Sequence, residues 1–263
     1  MSNYFEIENL KCSYDQKKVV LEIEKLEIPK GKVVFIVGQS GYGKSTILET
    51  LGLMNNTVVV DVSHCGLEPQ SPKFVFKPTE TESINCIEIW KQSNDKLSEI
   101  RKKHFSFIFQ QTNLMKNFSI FQNSIIPKLI KGGNKRYEYV LKQVDLEQIL
   151  NENKEIVDEL SGGQQQRLAF VRAILPDFQI IFGDEPTGNL DPENADNLMK
   201  IIADEIRSSN GVKTAIIVSH SPELYNKYAD IMITIHKKER ENGDTYGVIN
   251  SESVKINSSN HNL

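Results

Sequence analysis

The sequence predicts an α/β chain with a mostly parallel sheet, and three observations carry that prediction. Short apolar runs at residues 32–37, 105–109, 180–182, 214–218 and 231–235 have strand length. Helical stretches separate most of them, the pattern of parallel strands joined by crossover helices. The first run passes directly into Gly38-Gln39-Ser40-Gly41-Tyr42-Gly43-Lys44-Ser45 and a helical stretch over residues 45–53, a strand–loop–helix unit. Residues 4–10 and 20–28 instead alternate polar and apolar side chains, as half-buried strands do. Residues 160–175 read as a helix with Leu168, Val171, Ile174 and Leu175 on one face and Pro176 as its stop; Ser221-Pro222 starts another.

At 263 residues the chain can bury a full core as one domain, expected over residues 1–250, followed by a polar tail at 251–263 that frays. A content of 39% hydrophobic and 25% charged residues is that of a globular protein. The formal net charge of -4 gives no basic footprint, so no nucleic-acid partner is expected. No run of apolar residues is long enough to span a bilayer, so no direct membrane insertion is expected either. The N-terminal residues lack the basic and apolar regions of a signal peptide. Cys12, Cys65 and Cys86 have no metal-like spacing and read as idle thiols in a reducing cytoplasm.

The Gly38–Ser45 string fits G-x-x-x-x-G-K-[ST], a loop that turns backbone N–H groups toward phosphates as a helix N-terminus does. Lys44 adds a point charge and the Ser45 hydroxyl is placed to hold Mg²⁺, so residues 38–46, through Thr46, are the expected phosphate contacts. The bland alternative is a Gly-rich turn. A second string, Leu160-Ser161-Gly162-Gly163-Gln164, opens a helix that Ser161 alone would cap. Two glycines cost helix stability, and close approach of bare backbone to an anion is the physical reason to tolerate them.

Together these strings resemble the ATP-binding cassette (ABC) family, over about residues 4–236. The resemblance implies a P-loop NTPase core with a mostly parallel sheet, an antiparallel β lobe and a helical signature subdomain at about 112–176. It also implies ATP and Mg²⁺ as ligands. In that family Ser161, Gly162, Gly163 and Gln164 would close over ATP held by the opposite subunit, making a homodimer with an integral-membrane permease-type subunit as partner. The chain is then expected at the cytoplasmic face of a membrane. Gln110, directly after the 105–109 run, would touch Mg²⁺ and the attacking water, with Gln111 a weaker candidate. Asp184 and Glu185 follow the 180–182 run and Gly183; Asp184 would hold Mg²⁺ through water and Glu185 would polarise the attacking water. His220 is either structural or the switch histidine on the γ-phosphate. Tyr14 either stacks on adenine or packs on the strand beneath it. Asp191 is open to two roles, capping a helix and crossing the dimer interface.

The wording Asp184-Glu185-Pro186-Thr187-Gly188-Asn189-Leu190-Asp191 and the glutamines at 164–166 look like the lipoprotein-releasing, macrolide-exporting and cell-division branch. Rival readings are a non-transport ATPase signalling through a membrane partner and, further off, a DNA-repair or translation-factor cassette. Tyr42 and Gly183 depart from the family's usual residues. Residues 68–92 are expected to be an accessory hairpin, pairing 73–76 with 84–90 outside the core, with Trp90 pinning it to the sheet lobe or touching a partner.

Overall fold

The computed structural model describes residues 2–59, 71–125, 133–147, 157–241 and 243–257. The central sheet contains β3 (Val33–Val37), β6 (Phe105–Ile108), β7 (Ile180–Asp184), β8 (Thr214–Val218), β9 (Ile231–Thr234) and β12 (Val254–Ile256). Their order is β12-β9-β3-β8-β7-β6, and every pairing is parallel except β12 with β9. Apolar runs without alternation arise because this sheet is covered on both faces. Val34, Ile36, Phe182, Ile216 and Val218 face one core, while Val33, Phe35, Ile181, Ala215 and Ile217 face the other.

Helix α1 (Lys44–Leu51) packs on the first face, and α6 (Gly162–Ile174) and α7 (Pro192–Arg207) on the second. Between β6 and β7, before α6, stand α4 (Ile120–Ile125) and α5 (Gly133–Gln143). Residues 126–132 and 148–156 of the helical subdomain expected over about 112–176 lie outside the described residues. Arg136 of α5 ties this region back, donating to Ile174 O at 2.9 Å and pairing with Glu205 at 3.1 Å. Helix α8 (Pro222–Tyr228) follows β8 with Ser221 as its cap.

The second sheet has the order β10-β11-β2-β1-β4-β5, built from β1 (Asn3–Cys12), β2 (Leu21–Pro29), β4 (Lys73–Phe76), β5 (Ile84–Asn85), β10 (His236–Glu239) and β11 (Thr245–Ile249). All its pairings are antiparallel except β11 with β2, where Gly247 stands opposite Leu21.

Two expectations are corrected here. The stretch expected as an accessory hairpin does pair, Val75↔Asn85 and Phe76↔Ile84, but it is an integral part of this sheet: β4 also pairs with β1 from Phe5↔Phe76 to Glu8↔Lys73. Phe74, Phe76 and Cys86 are fully buried. The return strand is only Ile84–Asn85; residues 86–89 form a short helix, α2 (Cys86–Ile89), started by the Asn85 side chain, and α3 (Asn94–His104) follows. Residues 68–70 and Cys65 lie outside the described residues. The tail does not fray where it is described, because Val254–Ile256 add a strand to the edge of β9. Cys12 and Cys86 are buried free thiols, and burial pushes the Cys12 thiol up to about 11.

Candidate functional site

The parallel register brings the carboxyl ends of β3, β6, β7 and β8 to one edge, the place where open α/β sheets bind ligands. After β3 the chain turns through Gly38, Gly41 and Gly43 at φ 154°, 84° and 91°, conformations that side chains resist. Gly43 also has Leu21 Cβ only 3.1 Å from where its own Cβ would stand. No side chain caps the first turn of α1. By contrast Ser161, Asp191 and Ser221 cap α6, α7 and α8. The free N–H groups of α1 are therefore left for an anion. The Lys44 ammonium curls back over them, donating to Gly38 O and Gln39 O at 3.0 Å each. Burial pulls its pKa down, and an anion would reverse that.

Opposite this loop stand the two carboxylates at the end of β7. The Ser45 hydroxyl, next to Asp184, favours its charged form, and His220 Nε2 lies 3.3 Å from Glu185 Oε1. That contact is at ion-pair distance but lacks hydrogen-bond geometry, and Glu185 Oε1 is buried with no hydrogen-bond donor. Burial raises both carboxyl pKa values above their ordinary range. Two carboxylates against one ammonium leave negative charge unbalanced inside a cleft of about 440 Å³.

A test of stability follows from the sign of the Glu185 shift. In the nucleotide- and metal-free chain the folded state holds this proton more tightly than the unfolded state. Ionisation therefore costs stability progressively as pH rises from the ordinary carboxylate value, about 4, through the raised one. Glu185→Gln is expected to melt at a higher temperature than the parent chain at neutral pH, with the difference vanishing below about pH 4. Thermal unfolding at several pH values checks it; a variant less stable at neutral pH contradicts it.

Ser40, Gly41, Gly43, Lys44, Ser45, Thr46, Gln110, Asp184, Glu185 and His220 all line the cleft, joined by Val20, Gly188 and Val218. Gly38, Gln39 and Tyr42 complete the loop without lining it. Tyr42 presses its carbonyl on Gly247 of β11, where any Cβ would collide with it. Tyr14 stands over α1, its hydroxyl donating to Glu49 Oε2 at 2.8 Å and lying 3.3 Å from the Thr46 hydroxyl, with the residue 52% exposed. Asp191 accepts from Asn194 N at 3.0 Å as the cap of α7. Gly183 is explained by its neighbours: a Cβ there would meet Ile217 Cδ1 at 2.8 Å and Pro186 Cγ at 3.2 Å.

The Ser161 string does not line this cleft. Ser161 and Gln164 form a reciprocal capping box, with Gln164 Oε1 accepting from Ser161 N at 2.8 Å. Nothing lies within 4 Å of a Cβ built on Gly162, so the chain's own packing gives no reason for glycine.

Sequence reasoning missed three residues that hold this architecture. Arg172 of α6 donates to Thr112 O and Asn113 O, both at 2.9 Å, and so tethers the loop that starts at Gln110. Buried Asn123 ties the turn before α4, donating to Met115 O, Phe118 O and Ser119 O and accepting from Met115 N. Gln166 joins α6 to the segment after β7. Each acts through contacts between distant segments, and only Gln166 carried a signal, as the third of three consecutive glutamines.

A phosphate loop on a parallel sheet, faced by two carboxylates at the end of β7, defines a P-loop ATPase. The ABC transporter family model matches residues 21–188, and the chain belongs to that family. It is 33% identical over 235 residues to the macrolide export ATP-binding/permease protein MacB of Chlorobaculum tepidum, covering 88% of this chain and 32% of that protein. It is 34% identical over 207 residues to the MacB of Neisseria meningitidis serogroup B, covering 78% of this chain and 29% of that one. The chain thus spans about a third of the length of these curated relatives. Among solved structures, the dimeric ABC transporter cassette MJ0796 superposes with a TM-score of 0.65 at 25% identity, covering 88% of this chain and 93% of that one. Among the described residues no helix is long and apolar enough to cross a membrane.

Proposed function

We propose that this ATPase cassette pairs with a second copy of itself around two ATP molecules and drives an integral-membrane, permease-type partner at the cytoplasmic face of a membrane. The observation that carries the reading is the position of Ser161 and Gly162. They are exposed, lie off the chain's own cleft, and begin a helix whose first glycine, Gly162, faces open space. An exposed, glycine-lined helix N-terminus of this kind would serve an anion brought by another molecule, and two-fold symmetry would give two such composite sites. The dimeric MJ0796 cassette supports that arrangement. The permease named in the MacB relatives supports the membrane partner.

Within each site the loop from Gly38 to Thr46 would hold the phosphates, and the exposed face of Tyr14 would carry the adenine. The unbalanced charge of Asp184 and Glu185 fits a divalent cation, which Ser45, Asp184 and Gln110 would hold as Mg²⁺, polarising the transferred phosphoryl group. Glu185 would take the proton of the attacking water and His220 would steady the γ-phosphate side of the same network. Asp191, beyond its capping task, would sit in the segment facing the second copy. Closure of the pair on ATP and reopening after hydrolysis is the mechanical output.

Ser161→Arg tests the composite site. In a Glu185→Gln background, ATP is expected to drive dimer formation, and the added arginine is expected to abolish it by steric and charge conflict at the partner's Lys44. Binding of ATP to the monomer should change less than about threefold, since no shared contact is removed. Size-exclusion chromatography with and without ATP reads the result. A normal ATP-dependent dimer carrying Ser161→Arg refutes the arrangement.

A further inference from the structure

The three consecutive glutamines of α6 have three different tasks. Gln164 closes the capping box, and Gln165 donates to Leu160 O at 3.1 Å. Gln166 is only 1% exposed and spends its whole amide on the segment after β7. Its Nε2 donates to Pro186 O at 2.7 Å and to Glu185 O at 3.3 Å, and its Oε1 accepts from Asn189 N at 3.0 Å. Glu185 itself holds a left-handed backbone, φ 47°, which a residue with a side chain keeps only where its surroundings impose it. Its N–H donates to Val218 O at 3.1 Å, which fixes one end of the residue to β8. Gly183, wedged between Ile217 and Pro186, keeps the strand end from yielding. The other end is held by Gly188 N at 3.1 Å, within the same turn, and by Gln166 from α6.

We propose that Gln166 is a positioning residue: it sets the peptide that aims the Glu185 carboxylate and locks that peptide to the helix whose N-terminus begins at Ser161. A shift of α6 would then be felt at the chain's own Glu185, five residues along the helix from the exposed Ser161. An apolar side chain of the same length would pack equally well but leave Asn189 N–H and Pro186 O unpaired, freeing the turn to relax. The proposal rests on the reading of Glu185 as the group that activates water, and the experiment separates the two.

Gln166→Met in the full chain, alone and combined with Glu185→Gln, is assayed for ATPase kcat and KM, for affinity of a fluorescent ATP analogue, and for thermal unfolding. The expected result is a fall in kcat of about 10- to 100-fold with analogue affinity within about twofold and a cooperative transition retained. In the Glu185→Gln background Gln166→Met should lower the residual rate no further, because both changes act through one group. A folded Gln166→Met with kcat within about twofold of the parent overturns the proposal, as does an equal proportional loss in both backgrounds. Wild-type turnover in Glu185→Gln alone would instead remove the reading of Glu185. Amide exchange in the unsubstituted chain needs no variant to fold. The Asn189 N–H should exchange far more slowly than a free loop amide, and free-loop exchange there overturns the proposal too.

Discussion

Glu185→Gln is expected to bind ATP with near-parental affinity, accumulate as a closed dimer and lose turnover by about 10²- to 10⁴-fold, the range that a positioned general base contributes. The variant is nearly isosteric, so the pocket and its hydrogen bonds to the backbone of residue 185 remain. What disappears is the buried Oε1 lone pair, which no hydrogen bond of the chain occupies. Burial raises the carboxyl pKa, which makes the carboxylate form a stronger base. Steady-state ATPase assays and ATP-dependent size exclusion check the expectation together. Parental turnover assigns the proton to another group, His220, 3.3 Å from Glu185 Oε1, being the next candidate.

Replacing residues 71–92 by a short Gly-containing turn is expected to abolish the cooperative unfolding transition. The change removes β4, whose four paired positions seal β1 on the side away from β2. It also removes Phe76, whose ring lies 5.2 Å from Phe5 and 5.1 Å from Phe105 and so joins the two sheets. Phe76→Ala alone should cost about 3–5 kcal/mol, a large part of a typical domain's stability. Circular dichroism melts and nucleotide binding measure both. A shortened chain that melts sharply and binds ATP would place this segment outside the core after all.

Strand by strand, legibility followed burial. The runs that became β3, β7, β8 and β9 could be read because both faces are covered, so composition alone marks them. Strand β10, His236–Glu239, has every side chain exposed and no apolar residue; only its pairing with β11 makes it a strand. Strand β4 was visible as a strand, but whether Phe74 and Phe76 face a core depends on β1, which is distant in sequence. The site divides in the same way. The phosphate loop and the Asp184-Glu185 pair are contiguous strings whose spacing carries the chemistry. Arg172, Asn123 and Gln166 are single polar residues whose meaning comes from the segments they reach.

The turn fixed by Asn123 has a kinetic consequence. Its amide closes the segment from Met115 to Ser119 with four hydrogen bonds, and Met115 and Phe118 stand 41% and 40% exposed on it. Two large apolar side chains are thus presented on backbone that has already lost its freedom. A membrane partner that settles on them would order little further chain, so most of the contact energy would appear as affinity instead of offsetting lost entropy. Encounter would then be governed by collision and orientation, with no slow folding step at the contact.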